Sequence, residues 1–340
     1  MKKNIISVEI GDAYANRFGV EDTVSFNQAM MDGDSGVAFM VSQLAYLEPK
    51  LYETPYADIF FEGLVPMNTS IPEYANTVNY RSFDGATMGR FIGASAADLP
   101  SVATSYEMHV VPLGYAGMSV QYSLDELRKS VVTGESIDST QMKIAYRGAK
   151  EHQQRVVLFG DKERKMNGLL NHPNVTKTNS DVNWNTASPD EILADVNQLI
   201  GDIWEDSNQR FMPNTLLMDT KRYRLLATTR LNVVTNDTIL DFIRTKNIAT
   251  IERGIKLDIR PIPYLLADQM QQYAGENKDR MIAYDKSEEN LVAYMPIVPR
   301  FIAPQYDNLM VKVPMEYKIS GTEFRYPTSA AYKTFTNKVN

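Results

Sequence analysis

YSLDELRKSVVTGESIDSTQMKIAYRGAKEHQQRVVLFGDKERKMNGLLN, residues 122–171, carries the strongest local signals in the chain. Ser123-Leu124-Asp125-Glu126 forms a capping box, in which the Ser hydroxyl can accept an orphan backbone N–H and the Glu can reach back to the Ser N–H. The helix it opens is predicted to stop at Gly134. A second helix is predicted from Ser139 to Phe159, because Met142, Ala145, Ala149 and Val156 recur on one face while charges fill the other. At the usual rise it would be about 32 Å long, enough to cross a domain. Gly160-Asp161 ends it, and Asn167-Gly168-Leu169-Leu170-Asn171-His172-Pro173 turns the chain. No catalytic constellation lies along this stretch.

The order of these features, with a tyrosine-containing strand from Tyr115 to Tyr122 ahead of them and Val157-Leu158-Phe159-Gly160-Asp161 closing the long helix, resembles the major capsid proteins of tailed bacteriophages. The branch it resembles has the Hong Kong 97-type fold, and the related encapsulin shells share the likeness. The resemblance implies an α+β fold with an N-arm over residues 1–65, an extended two-stranded E-loop over 66–118, and a P-domain with its spine helix over 119–173. An A-domain of mixed sheet and helices would follow over 174–300, with late strands rejoining the P-domain over 301–340 before a polar tail.

The implied function is structural. Hexamers and pentamers of this chain would close an icosahedral shell around double-stranded DNA, as part of a virion assembled in the host cytoplasm. The partners implied are further copies of the chain, a separate scaffolding protein, a portal and decoration proteins. The alternative within the fold is an encapsulin-type compartment. In many members a helical scaffolding segment precedes the E-loop and is clipped after assembly; too little chain precedes residue 66 here, so a separate scaffold or an already processed chain is expected.

Composition agrees with a globular protein of one elaborated domain or two: 340 residues, 44% hydrophobic and 23% charged. The net charge of -7 speaks against a protein built to grip nucleic acid, which would show a basic face that releases counterions. A container has no such need. There is no cysteine, hence no disulfide framework or thiolate site. No apolar run is long enough for a signal peptide or a membrane span, so a cytoplasmic product and no membrane partner are expected.

Residues 66–105 are rich in glycine and small residues and cannot bury a core alone. Tyr74, Val78 and Tyr80 alternate with polar neighbours, and Tyr106, Met108, Val110, Gly114, Ala116, Met118 and Val120 all fall on even positions, which is strand periodicity. A long two-stranded excursion is predicted. Limbs of about 20 residues would reach on the order of 65 Å, against a radius of gyration of roughly 20 Å for a compact chain of this length. An isolated hairpin is marginal in water, so a neighbouring subunit is the expected support. Tyr74, Val78, Tyr80, Arg81 and Arg90 are the candidate inter-subunit contacts.

Beyond a polar loop over 174–188, Ser188-Pro189-Asp190-Glu191 supplies a cap, a first-turn proline and a capping-box Glu. Ile192, Val196, Leu199, Ile200, Ile203 and Trp204 form the stripe of the helix that follows. A buried strand at Thr215-Leu216-Leu217-Met218 and helices over 220–228 and 237–246 come next. Pro261 and Pro263 demote the strand around Ile259 to a sheet edge. Met281-Ile282-Ala283-Tyr284 and Leu291-Val292-Ala293-Tyr294 flank a charged turn. Leu309, Val311, Val313, Met315, Tyr317 and Ile319 occupy every odd position of the clearest strand, and Glu323 to Tyr326 is predicted as its hairpin partner.

The search for chemistry is negative: no phosphate-binding glycine loop, no His-Glu-x-x-His and no paired cysteines. Gly33-Asp34-Ser35-Gly36 echoes a serine-protease signature, yet only three histidines could serve as a base, and a polar turn explains it. Glu151-His152 is expected on a solvated or lightly hydrogen-bonded helix face rather than as a ligand pair. No catalytic residue, cofactor or metal is predicted; an oligomeric enzyme with a pocket in 189–266 is the rival class.

Some relatives of this fold weld their subunits through an isopeptide bond between an E-loop lysine and a neighbour's asparagine. No lysine lies between Lys50 and Lys129, and the guanidiniums of Arg81 and Arg90 stay protonated and are poor nucleophiles. Mature particles boiled in detergent should therefore run on a denaturing gel as one band near 38.4 kDa. A ladder of cross-linked multimers would contradict this.

Overall fold

The computed structural model describes residues 58–84, 104–126, 137–231 and 237–339, all within the compact unit Asp58–Asn340. The N-arm before residue 58, the Gly33–Gly36 stretch, Arg90 and residues 127–134 of the helix predicted to stop at Gly134 lie outside the described residues. Strands β1 (Met67–Asn68), β2 (Thr77–Asp84) and β3 (Ser105–Ser123) lead to helix α1 (Ile137–Phe159). The short hairpin β4 (Gly160–Asp161) and β5 (Met166–Asn167) and strand β6 (Thr176–Ser180) precede α2 (Pro189–Asp206). Then come β7 (Thr215–Met218), α3 (Thr220–Thr228), α4 (Ile239–Thr245), α5 (Ile248–Arg253), β8 (Asp258–Pro261) and α6 (Ala267–Tyr273). The last third is strand: β9 (Asp279–Tyr284), β10 (Leu291–Tyr294), β11 (Ile297–Phe301), β12 (Gln305–Asp307), β13 (Met310–Ser320), β14 (Thr322–Phe324) and β15 (Ala330–Phe335).

α1 forms where its caps and periodicity predict. Ala149, Val156, Val157 and Leu158 are buried on its inner side, with Met142 and Ala145 partly so. Its end is closed by the turn that follows: Leu169 N donates to Val157 O (2.9 Å), Leu170 N to Leu158 O (2.9 Å) and Asn171 Nδ2 to Phe159 O (2.8 Å). Thr322 Oγ1 adds a second bond to Val157 O at 2.7 Å. These are the carbonyls a helix terminus leaves without an internal partner. The close approach is possible because Gly160 adopts φ +73° and because a Cβ on Gly168 would sit 2.4 Å from Leu158 O.

α1 packs on the sheet ordered β11-β13-β3-β2, in which β12 also pairs with β13. Ala116, Met118, Val120 and Tyr122 of β3, with Val313, Met315, Tyr317 and Ile319 of β13, supply the covered face. A second sheet, ordered β6-β15-β9-β7-β8, carries the other main core with the α2 stripe Ile192, Val196, Leu199, Ile200 and Ile203. Both halves of the Ser188 capping box are formed, and Trp204 is only partly buried. β8 is an edge strand, as its prolines require.

Three expectations about the late chain are corrected. Residues 174–188 are not wholly loop, since β6 pairs in parallel with β15. β14 is not the hairpin partner of β13; it pairs with β10, Leu291 opposite Phe324, in a separate three-stranded sheet with β1. The polar tail is the largest departure. β15 is buried along its whole length between β6 and β9, so the block drawn at 301–340 divides, β13 joining β3 and β15 joining the second sheet. The misleading letters are Lys333 and Thr334. Lys333 Nζ lies 2.6 Å from Asp195 Oδ1 and donates to Asp195 O (2.8 Å) and Gln198 Oε1 (3.0 Å), while Thr334 Oγ1 donates to Asn179 Oδ1 at 2.6 Å. A buried charge that is paired and hydrogen-bonded can occupy a core strand.

Glu151 is exposed and pairs with Arg147, while His152 is half-buried and shares a hydrogen bond of 2.9 Å between Nδ1 and Tyr317 Oη, which ties α1 to β13.

Two stability predictions follow from these contacts. Lys333→Met leaves the Asp195 carboxylate buried without its cation and should cost about 3–5 kcal/mol in denaturant unfolding; a loss below about 1 kcal/mol would show that the pair does not hold β15. Burial, then Arg155 and Arg164, hold His152 below its ordinary pKa of 6.5. The unfolded chain therefore binds this proton first, so stability is complete above pH 6.5 and falls as pH drops through that value. His152→Gln should flatten this part of the melting profile, and an unchanged profile would exclude the residue as its source.

Candidate functional site

β3 is one strand with two kinds of neighbour. Over residues 105–112 it pairs antiparallel with β2, and over 113–123 with β13. Side chains alternate across a strand, so the even positions form one continuous face. From Ala116 to Tyr122 that face lies under α1. Nearer the tip no helix among the described residues lies over it: Tyr106, Met108 and Val110 are 71%, 60% and 58% exposed, and Phe83, directly across from Tyr106, is 74% exposed. An apolar stripe that serves as core along half of the strand thus continues into solvent on the other half. A contiguous exposed apolar surface of this kind marks an interaction site more often than scattered single residues do.

The odd face is covered instead at the arm's root. Val111 and Leu113 are buried with Val292 and Tyr294 of β10, and Val78, Tyr80, Ile71 and Ala75 pack against them. Tyr80 stacks on His109 at 4.8 Å and donates to Glu323 Oε1 at 3.0 Å. Burial first, then the Glu323 carboxylate, push its hydroxyl above the ordinary tyrosine range.

Val78 and Tyr80, singled out above as inter-subunit contacts, are therefore used inside this chain, because their parity places them on the face that β10 covers. Tyr74 is 85% exposed in the turn before β2, and Arg81 is exposed opposite Met108 on the open face. Phe83, Tyr106, Met108 and Val110 were not on the candidate list. The even-position periodicity contained Tyr106, Met108 and Val110 but not Phe83 of β2, and it does not say where α1 stops covering that face.

Among the described residues no group of His, Cys, Asp and Glu could hold a metal ion, and no described helix is long and apolar enough to cross a membrane. The three histidines are each occupied in packing. His109 Nε2 bonds Ser82 Oγ at 2.9 Å, His152 bonds Tyr317, and His172 is fully buried with its Nδ1 accepting from Asn174 N at 3.3 Å.

A family model described as Major capsid protein matches residues 89–335. In fold the chain is similar to the capsid of Myoviridae Phage XM1, with a TM-score of 0.72 at 14% identity over 86% of this chain and 97% of that one. It is also similar to a chain of Mycobacterium phage Ogopogo, with a TM-score of 0.57 at 13% identity over 87% and 98%. The capsid of the native GTA particle gives 0.61 at 9% identity over 88% and 98%. No curated protein matches in sequence.

Proposed function

This chain belongs to the major capsid protein family, and we propose that its two-stranded arm joins subunits by laying the open face of β2 and β3 on a neighbouring copy. The protein is a shell-forming structural protein of the bacteriophage capsid type, a component of the virion, with the Hong Kong 97-type fold. The observation that carries the arm's role is the apolar stripe that leaves its own core: Phe83, Tyr106, Met108 and Val110 on the face that α1 covers farther along β3.

Covering such side chains stabilises an association by about 1.5–3 kcal/mol each before ordering costs are subtracted. One arm is a modest contact, but a closed shell repeats it at every subunit. Hexamers and pentamers around double-stranded DNA, with a separate scaffolding protein, a portal and decoration proteins, complete the proposal. A chain of net charge -7 suits a container whose contents must slide rather than a protein that grips phosphates. Residues 66–112 act as the arm, 113–173 as the body bearing α1, and β6, β7, β8, β9 and β15 as the sheet of the second region.

Changing Tyr106 and Met108 together to Ser tests the arm. Both side chains are exposed in the single chain, so its unfolding should shift by no more than about 0.5 kcal/mol. In the expression system in which the unaltered chain makes shells, the variant should give only small species by light scattering. Closed particles from the double variant would refute the arm's role.

A further inference from the structure

We propose that Arg300 and Glu73 are positioning residues that set the direction in which the arm leaves its own subunit; this rests on the reading of the arm as an inter-subunit contact. The β3–β13 ladder ends at Leu113 opposite Ser320. Farther out, β2 is the one strand beside β3 among the described residues, so the arm's direction depends on how the turn before β2 is tied to the body. Leu113 N donates to Asn76 O at 2.9 Å. The buried Lys318, on β13, reaches the same turn and donates to Glu73 O (3.2 Å) and Asn76 Oδ1 (3.1 Å).

The side chain of Glu73 then makes the widest span. Arg300 of β11 grips it as a fork, Nη1 to Oε1 at 2.8 Å and Nη2 to Oε2 at 2.7 Å. Its Nε donates to Glu316 Oε1 of β13 at 2.8 Å. Glu316 in turn accepts from Tyr115 Oη of β3 at 2.6 Å. One planar guanidinium thus joins the turn before β2 to β11, β13 and β3 together. A bidentate fork restricts angle as well as distance, which a point charge does not. Glu73 is held below the ordinary carboxylate range by its bonds to Arg300, and Arg300 is raised by its bonds to Glu73 and then Glu316.

Both Arg300 and Glu73 are about half exposed, and an exposed ion pair contributes little to folding. Its leverage is geometric. The paired part of the arm, eight residues of β2, extends about 27 Å, so a tilt of roughly 10° at the root moves its tip by about 5 Å. That displacement is comparable to the reach of an aromatic side chain, enough to take Phe83 and Tyr106 off a fitted surface. The other contacts of the root, Tyr80 with Glu323 and the Val111–Val292 cluster, hold its position, while the fork constrains its angle.

The test uses Glu73→Gln, Arg300→Gln and Arg300→Lys in the full chain. Hydrogen exchange of Thr77–Asp84 is read on the unassembled protein, so it reports on the fork whether or not the arm has a partner. Particle size is read by electron microscopy on shells. All three variants should melt with the unaltered chain, exchange this strand roughly three- to tenfold faster, and give open or mixed-size particles in place of one closed form. Arg300→Lys should match Arg300→Gln, because it keeps the charge and loses the fork. Unchanged exchange, normal particles from Glu73→Gln, or full rescue by Arg300→Lys would each overturn the proposal.

Discussion

The last carbonyls of α1 are the constraint on which the rest of the unit depends. A buried helix end without partners would cost about 1–3 kcal/mol for each unmet group, and here the partners come from two distant places: the 169–171 turn and Thr322. Both must approach the helix at backbone distance. A Cβ on Gly321 would lie 2.0 Å from Asn167 O, so the corner between β13 and β14 can close on the β4–β5 hairpin only with glycine there. Once this corner is made, β13 is fixed beside β3 and α1 lies along both. The arm follows from that, since α1 covers β3 only as far as its own packing reaches.

The second sheet is held by a different device. Arg222 is buried with Nη1 at 2.7 Å from both Asp219 Oδ2 and Asp279 Oδ2, Nη2 at 2.6 Å from Asn337 O, and its guanidinium 3.9 Å from the centre of the Phe335 ring. Asp219 caps α3, and Asp279 also accepts from Ala267 N at the start of α6. The cation therefore links two helix starts, β9 and the chain after β15. Buried ion pairs are poor sources of net stability, because desolvation offsets the attraction. Their geometry nevertheless admits one arrangement of partners. Lys333, two residues from Phe335 and on the same face of β15, pairs with Asp195 of α2, so the two ion pairs together tie this strand to α2 and α3.

A shell of like-charged subunits must also overcome repulsion. At physiological ionic strength the screening length is about 8 Å, so charges repel mainly where surfaces meet. The open face of β2 and β3 carries apolar side chains and a single cation, Arg81, among its described residues.

Local features were legible in the sequence because their causes are local. The Ser188 box, the Ser123 box with its bonds of 3.0 and 3.1 Å, the extent of α1 and the alternation of β13 each depend on residues within a turn or a strand of one another. The same alternation along β3 was visible, and with it the side chains that make the arm's open face. What covers each face was not, so the packing of Val78 and Tyr80 against Val111, Leu113, Val292 and Tyr294 of their own chain could not be read from the alternation. β15 failed for the same reason in sharper form. Lys333 looks like a surface residue until Asp195, 138 positions earlier, is brought to it. Periodicity and capping are properties of neighbours in the chain; burial, sheet partners and the pairing of charges are properties of neighbours in space, and only the folded backbone chooses those.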